Sequence, residues 1–339
     1  MLVLGIESSC DETAAAIVAD GRTVRSNIVA SQHDLHRPFG GVVPEVASRA
    51  HAERITAVTE EALSEAGVKP SELGGIAVVN QPGLVGALLV GLSGAKGLAL
   101  AWNLPYVGVD HILAHVYAAT LAGFDAFPHV SLVASGGHTC LYLASGPGEV
   151  KILGQTADDA AGEAFDKGAK LLGLGFPGGP ALSRCAETGN PAAVAFPRSN
   201  PNQKPGDSLD FSFSGLKTAL YYHLRERTEN GAREITDEER ADVAASFQEA
   251  ICEILTEKLL AACRATGHPA LAIGGGVACN GRLREMLTDR AGDVRVFFPP
   301  PALCADNAAM VAGLGHHFLE RGERADWSLD VDPTPKRLN

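Results

Sequence analysis

The stretch best placed to do chemistry is His111-Ile112-Leu113-Ala114-His115. On a helix, a spacing of four puts both imidazoles on one face, one turn apart, where they can share a metal ion. Two imidazoles and one carboxylate leave coordination positions open for a substrate. The candidate carboxylate is Asp306, in Cys304-Ala305-Asp306-Asn307, so far along the chain that only folding can bring it to the pair. Two ordinary helical histidines would show the same spacing, so the pair alone does not decide. A metalloprotease of the H-E-x-x-H kind needs a Glu directly after the first His, and position 112 is Ile.

The surrounding pattern says which elements must position these residues. Residues 2–7 read as an apolar strand, Ser8 to Thr13 as a polar tip, and Ala14 to Ala19 as the returning strand. Helical spacing runs from Val43 to Ala66 and stops at Gly67. A buried strand at 75–79 leads through Asn80-Gln81-Pro82-Gly83-Leu84 into an apolar run ending at Trp102. That run approaches membrane-spanning length, but its glycines, Ser93 and Lys96 read as a buried helix of a chain with no membrane association. Pro105 to Val109 is another strand, and the histidines open the helix after it.

The pattern then recurs. Val130 to Ala134 is a strand, Ser135-Gly136-Gly137-His138-Thr139 a polar turn, and Cys140 to Leu143 the return; later come the strand Leu271-Ala272-Ile273, the turn Gly274 to Asn280 and a helix through Leu287. This is a duplication of two α/β lobes. The first spans 1–128 plus about 312–339. The second spans 129–311, with a largely helical insert at about 155–265. In the insert, Thr236-Asp237-Glu238-Glu239 is a capping box ahead of an apolar stripe from Val243 to Leu259. The loop Phe196 to Asp210 is expected to be mobile.

Composition narrows the class. The 339 residues are 46% apolar with a net charge of −12, which excludes a protein that coats nucleic acid by bulk charge. Seven scattered cysteines form no C-x-x-C pair, which excludes a disulfide framework or a structural zinc site and suits a reducing cytoplasm. Met1 runs straight into a strand-like segment rather than a leader.

Two hairpin tips turned toward a shared central cleft would handle phosphate. Successive N–H groups at Gly136 and Gly137 can form a cationic nest, although a plain tight turn reads the same. Gly274-Gly275-Gly276 before a helix suits close approach to a nucleotide, with Asn280 within reach of a ribose or base. Asp159, Glu163 and Asp166 are expected on one helix face with Lys167 and Lys170, where a salt-bridged solvated face is the plainer account. Phe211 to Thr218, hydroxyl-rich with one Lys, is either a substrate or RNA contact or a capped helix start.

These residues and several more together resemble one family. Gly5-Ile6-Glu7-Ser8-Ser9-Cys10-Asp11-Glu12-Thr13, Gly40 to Glu45, Pro82 to Gly86, the His pair and Ser135 to Thr139 carry the likeness. So do Glu163 to Lys167, Pro177 to Pro180, Phe211 to Thr218, Gly275-Gly276-Val277 with Asn280, and Asp306-Asn307. The chain is similar to the tRNA adenosine threonylcarbamoyltransferases, once described as O-sialoglycoprotein endopeptidases. It departs from them at Gln81, Ala134 and Cys279, and none of these changes removes an implied ligand.

The resemblance implies the α/β actin/hexokinase/Hsp70-like duplicated two-lobe fold. It implies transfer of threonylcarbamoyl from its adenylate to N6 of adenosine 37, in tRNAs reading codons that begin with A. It also implies one divalent metal on His111, His115 and Asp306, iron in the family, with zinc and magnesium as alternatives. The donor is implied to lie on Ala134, Ser135, Gly136, Gly137, His138, Asp166, Gly179 and Asn280, in a site open to ATP, ADP and AMP. Asp11 and Glu12 are the candidates for proton transfer or positioning. Its implied partners are tRNA and, in bacteria, an inactive paralogue of the same fold and a small ATPase. The helix around Arg49 to Glu61 is the candidate paralogue interface. Lys204, Lys217, Arg225, Arg227, Arg282 and Arg284 are scattered candidates for RNA phosphate contacts. The alternative of a sugar or acetate kinase of the same fold would not be expected to need the His pair.

Overall fold

β1 (Leu2–Glu7) and β2 (Glu12–Ala19) form an antiparallel hairpin with Leu4 opposite Ile17 and Glu7 opposite Ala14. The computed structural model describes residues 1–198, 208–229 and 235–334. The tip of this hairpin is shorter than expected: Glu12 and Thr13 already lie on β2, so only Ser8 to Asp11 turn. β3 (Thr23–Ser31) pairs with the outer edge of β2, setting Ser31 opposite Glu12. The chain then runs through α1 (His33–His36) and α2 (Pro44–Ala66), which stops at Gly67 in the left-handed region at φ 64°. β4 (Leu73–Gln81) and β5 (Tyr106–Asp110) join on the other side of β1, parallel to it and to each other, with α3 (Val85–Trp102) as the crossover between them. α4 (His111–Leu121) begins on the residue after β5.

The sheet order is β3-β2-β1-β4-β5. Alternate strand residues enter different cores because successive side chains leave opposite faces of a sheet. Val3, Val18, Ala77 and Val79 pack on one side with α4; Leu4, Ile6, Ile17, Ile76 and Val78 pack on the other with α2 and α3. Burial on both faces is why β1 and β4 read as nearly continuous apolar runs rather than alternating ones.

The expectation that α3 is buried needs correcting. Ala87, Leu88, Gly91, Leu92, Ala95 and Ala99 face inward, but Val85, Leu89 and Leu100 are exposed, Leu100 by 72%. By length and composition α3 could cross a membrane; here one side packs against β4 and α2.

The second unit repeats the plan. β6 (His129–Ala134), β7 (Thr139–Gly146) and β8 (Glu149–Gln155) are consecutive neighbours. Four helices follow: α5 (Ala161–Leu171), α6 (Gly178–Ala186), α7 (Ser214–Glu229) and α8 (Asp237–Thr266). Then come β9 (Ala270–Gly274), α9 (Gly281–Arg290) and β10 (Arg295–Phe297). The order β10-β9-β6-β7-β8 is that of the first sheet read from its other end. β9 runs parallel to β6 as β4 does to β1, and β10 to β9 as β5 does to β4. The capping box forms: Thr236 Oγ1 accepts from Glu239 N–H at 3.2 Å, and Thr236 N–H donates to Glu239 at 2.8 Å.

α10 (Pro301–Cys304) and α11 (Ala308–Glu320) return to the first unit, and α11 lies across β1, β2 and β4. Gly5 permits this, since a Cβ there would stand 2.3 Å from the Ala308 carbonyl oxygen. The first unit comprises residues 1–127, 144–150 and the described chain from 299 on; the second comprises 128–143 and 151–298. The loop expected to be mobile falls mainly on 199–207, outside the described residues. At its near edge Arg198 Nε donates to Glu253 at 2.6 Å.

Candidate active site

In the first unit, three neighbouring elements place the metal-type residues. Asp110 ends β5 and caps α4, accepting from Ile112 N–H at 2.8 Å and Leu113 N–H at 3.0 Å, so the helix starts on His111. Gln81, one of the departures from the family pattern, reaches the other Asp110 oxygen at 3.4 Å. The first two turns of α4 carry the two imidazoles, with ring centroids 4.7 Å apart and planes at 82°. Asp306 lies two residues before α11, whose start is fixed by Asn307 accepting from Met310 N–H at 3.1 Å. Its Oδ1 is 3.0 Å from His115 Nε2 and 3.6 Å from His111 Nε2.

Behind this group is a residue that sequence reasoning assigned no role. Glu7, fully buried at the end of β1, accepts from Ser9 N–H at 2.6 Å and stands 2.8 Å from His111 Nδ1. A carboxylate on Nδ1 holds the proton there and leaves the Nε2 lone pair facing His115 and Asp306, the arrangement that orients metal-bound histidines. Burial opposes a charged imidazole, but Glu7 and Asp306 outweigh it and raise His111 to about 10. The metal-free site therefore holds a proton where a cation would sit. One donor atom from each of His111, His115 and Asp306 lies within 4.8 Å of the others, a donor set and spacing that fit a divalent metal of borderline character.

The hairpin tip adds a second cluster. Asp11 is buried, and Glu12 Oε1 lies 3.2 Å from His33 Nε2, with Asp11 Oδ2 at 3.7 Å from the same nitrogen. Burial raises the Glu12 carboxyl to about 7, with Asp306 and Asp11 adding to it and His33 opposing it. His33 also escaped the sequence reading. Its signal was the unrecognised strand β3, whose register leaves His33 two residues beyond the partner of Glu12. His51, fully buried on α2, anchors the tip by bonding the Cys10 carbonyl at 2.9 Å and Thr13 Oγ1 at 2.8 Å. Burial, reinforced by Asp11 and Asp306, pushes the Cys10 thiol well up, so it is no thiolate nucleophile.

In the second unit, the turn after β6 is closed by Ser135 N–H donating to the His138 carbonyl at 2.8 Å and by His138 N–H donating to Ser135 Oγ at 3.2 Å. Gly136 and Gly137 are exposed, with open space where a Cβ would lie. Ala134 is fully buried, and its carbonyl oxygen would lie 2.3 Å from a Cβ on Gly275, which sits at φ +85°. Gly162 N–H donates to the Ser135 carbonyl at 3.1 Å, tying the turn to the start of α5. One turn on, Asp166 Oδ1 accepts from Gly178 N–H at 2.8 Å and Gly179 N–H at 3.3 Å, fixing the start of α6. Asn280 caps α9 through Leu283 N–H at 3.0 Å and donates to Ser183 Oγ on α6 at 2.8 Å. Ser135, Asp166, Gly179 and Asn280 are thus linked through α5 and α6.

One expectation here needs correction, and one reading left open takes form. Asp159 precedes α5 rather than sharing its face; Lys167 reaches back to it, and to Glu163, at 2.8 Å each. Phe211 to Thr218 is a capped helix start: Asp158 accepts from Phe213 N–H at 2.8 Å and from the Ser212 and Ser214 hydroxyls.

The profile of the family described as TsaD, tRNA N6-adenosine threonylcarbamoyltransferase, matches residues 23–313. The chain belongs to this family. It is 54% identical over 335 residues to the tRNA N6-adenosine threonylcarbamoyltransferase of Anaeromyxobacter dehalogenans strain 2CP-C, covering 98% of each chain. It is 53% identical to that of Geobacter sp. strain M21, covering 98% of this chain and 96% of the other. Such a TsaD-family chain is a transferase of tRNA modification, and its His-His-Asp group accords with a metal site.

Among solved structures, HypF of T. kodakarensis aligns with a TM-score of 0.60 at 16% identity, over 94% of this chain and 48% of that one. Component A of the Acidaminococcus fermentans (R)-2-hydroxyglutaryl-CoA dehydratase aligns at 0.52 and 13%, over 94% and 98%. These likenesses concern the fold, which is the expected actin/hexokinase/Hsp70-like one.

Proposed function

We propose that this chain transfers the threonylcarbamoyl group of threonylcarbamoyl-AMP to N6 of adenosine 37, in tRNAs reading codons that begin with A. The observation that carries the site assignment is the convergence of His111 Nε2, His115 Nε2 and the Asp306 carboxylate in front of buried Glu7. An adenine amine is a poor nucleophile because its lone pair is delocalised into the ring, so the acyl group must arrive activated. In the mixed anhydride, the N6–carbonyl bond forms as the carbonyl–phosphate oxygen bond breaks; AMP leaves and N6 loses one proton.

His111, His115 and Asp306 would hold one divalent metal, iron by family, with zinc or magnesium as alternatives. When bound it supplies Lewis acidity and a template for the donor. Glu7 keeps His111 oriented. Glu12, with its carboxyl raised to about 7, is suited to take the N6 proton, and Asp11 positions the reacting groups. The amides of the Ala134–His138 turn, with Asp166, Gly179 and Asn280, hold the adenylate, in a site open also to ATP, ADP and AMP.

An acidic chain acting on tRNA calls for helpers. The reading includes an inactive paralogue docking on α2 between Arg49 and Glu61, a small ATPase, and a cytoplasmic setting. Capture of the paralogue should weaken when charges on that segment are reversed. The deciding experiment incubates the chain with tRNA, synthetic threonylcarbamoyl-AMP and both partner proteins, followed by nucleoside mass spectrometry. Modified adenosine is expected from the wild type. Asp306→Ala should lose bound metal and transfer together, and a folded Asp306→Ala protein retaining both would refute the metal assignment.

A further inference from the structure

α5 and α7 of the second unit enclose a surface groove of about 360 Å³ whose lining belongs to neither cluster described above. From α5 come Lys167, Lys170 and Leu171, at the i, i+3 and i+4 positions that share one helix face; from α7 come Lys217, Tyr221 and Tyr222. The other side of α7 is anchored by buried Leu216 and Leu220, which turns the tyrosines outward. Tyr221 and Tyr222 are 48% and 52% exposed, with ring centroids 5.6 Å apart and planes at 67°. Lys167 is held by Asp159 and Glu163, so it offers mainly its apolar stem. Lys170 and Lys217 have no ion pair among the described residues.

We infer that this groove binds unpaired nucleotides of the RNA substrate, with a base stacked on the tyrosines and flanking phosphates on Lys170 and Lys217. The inference rests on the tRNA substrate of the proposed function and adds where that RNA is gripped. Three considerations favour RNA over an apolar protein segment. A chain of net charge −12 must concentrate its phosphate contacts in a local patch, and these two lysines flank exposed aromatic faces. Stacking of splayed bases on aromatic rings beside a basic rim is how proteins hold single-stranded RNA. Lys167, which lines the groove, also directly follows Asp166 on α5.

The other basic candidates fare differently. Arg282 is taken up by Glu249 at 2.6 and 2.9 Å and by Glu285 at 3.3 Å. Arg284 donates to the Ala278 carbonyl and covers the Phe298 ring at 5.2 Å. Arg225 is exposed one turn beyond Tyr221 and Tyr222 on α7. Lys204 and the Arg227 side chain lie outside the described residues.

The test measures tRNA binding to the full chain with its partners present, over a range of salt, together with KM and kcat for modification. Tyr221→Ala/Tyr222→Ala should weaken tRNA binding at least about fivefold, and Tyr221→Phe/Tyr222→Phe should restore it. Lys170→Glu/Lys217→Glu should lower the slope of log affinity against log salt by about 1.4, two single-strand phosphate contacts. Each variant should keep its thermal midpoint and its kcat at saturating tRNA. Unchanged tRNA affinity and salt slope would overturn the groove assignment, as would loss of partner capture with tRNA binding intact. A wild type that binds tRNA here but forms no modified nucleoside would refute the proposed function and leave the groove standing.

Discussion

Glu7 and His111, 104 residues apart in sequence, meet at 2.8 Å with the carboxylate on Nδ1. Both side chains are nearly buried, so neither has water as a substitute partner. The carboxylate sets the tautomer, and the tautomer decides which nitrogen can ligate. Glu7→Gln should therefore lower metal affinity by about 10- to 100-fold while His115 and Asp306 stay in place. Competition against a chelator of known affinity measures it, and an unchanged affinity would reduce Glu7 to a packing role.

Metal uptake at neutral pH should expel about one proton per ion, because His111 is held charged, with its proton affinity raised to about 10, until a cation displaces that proton. Calorimetry in two buffers of different ionisation enthalpy reads the number. The linked stability has a definite sign. The raised value means that the contribution of His111 to the metal-free fold is complete below about 6.5 and fades as pH rises through about 10. Thermal midpoints of the chelated protein across that window should fall more for the wild type than for Glu7→Gln.

Glu12 runs the other way from an ordinary paired carboxylate. Its value is raised from 4.5 to about 7, first by burial, so its ionisation opposes folding once pH passes that range. Glu12→Gln should stabilise the metal-free protein at pH 8, on the order of 3 kcal/mol, and leave it nearly unchanged at pH 4. Denaturant titrations at the two pH values decide. Equal effects at both would mean that Glu12 is not protonated by its surroundings.

Gly275→Ala should cost about 2–4 kcal/mol, since the added carbon meets the Ala134 carbonyl oxygen at 2.3 Å in a backbone conformation L side chains avoid. Gly136→Ala meets nothing within 4 Å and should change stability by less than about 1 kcal/mol. If the turn cradles the adenylate, Gly136→Ala should nevertheless weaken donor binding. Urea titration paired with donor-analogue binding separates the two glycines.

Some of this could be read from residue order alone. The four-residue spacing of the histidines, the Gly67 stop, the Thr236 capping box and the recurrence of strand, polar turn and strand are local signals. Each depends on neighbours within a turn or a hairpin, and each appears in the structure. The resemblance supplied what periodicity could not, the family and the implied set of donor-binding residues.

What tertiary structure alone decided involves partners with no local signature. Glu7 ends an apolar strand like any polar residue, and only the pairing of β1 with the β4–β5 edge brings it to His111. His33 joins Glu12 through a strand whose polar exposed sequence hid it. Asp158, remote in sequence from α7, caps that helix, and α3 keeps one apolar side outside. Helix and turn signals are written in short-range sterics and hydrogen bonding, so the chain spells them out. The identity of a partner a hundred residues away depends on which sheet edge and which helix end pack together, and that is settled only when the whole unit closes.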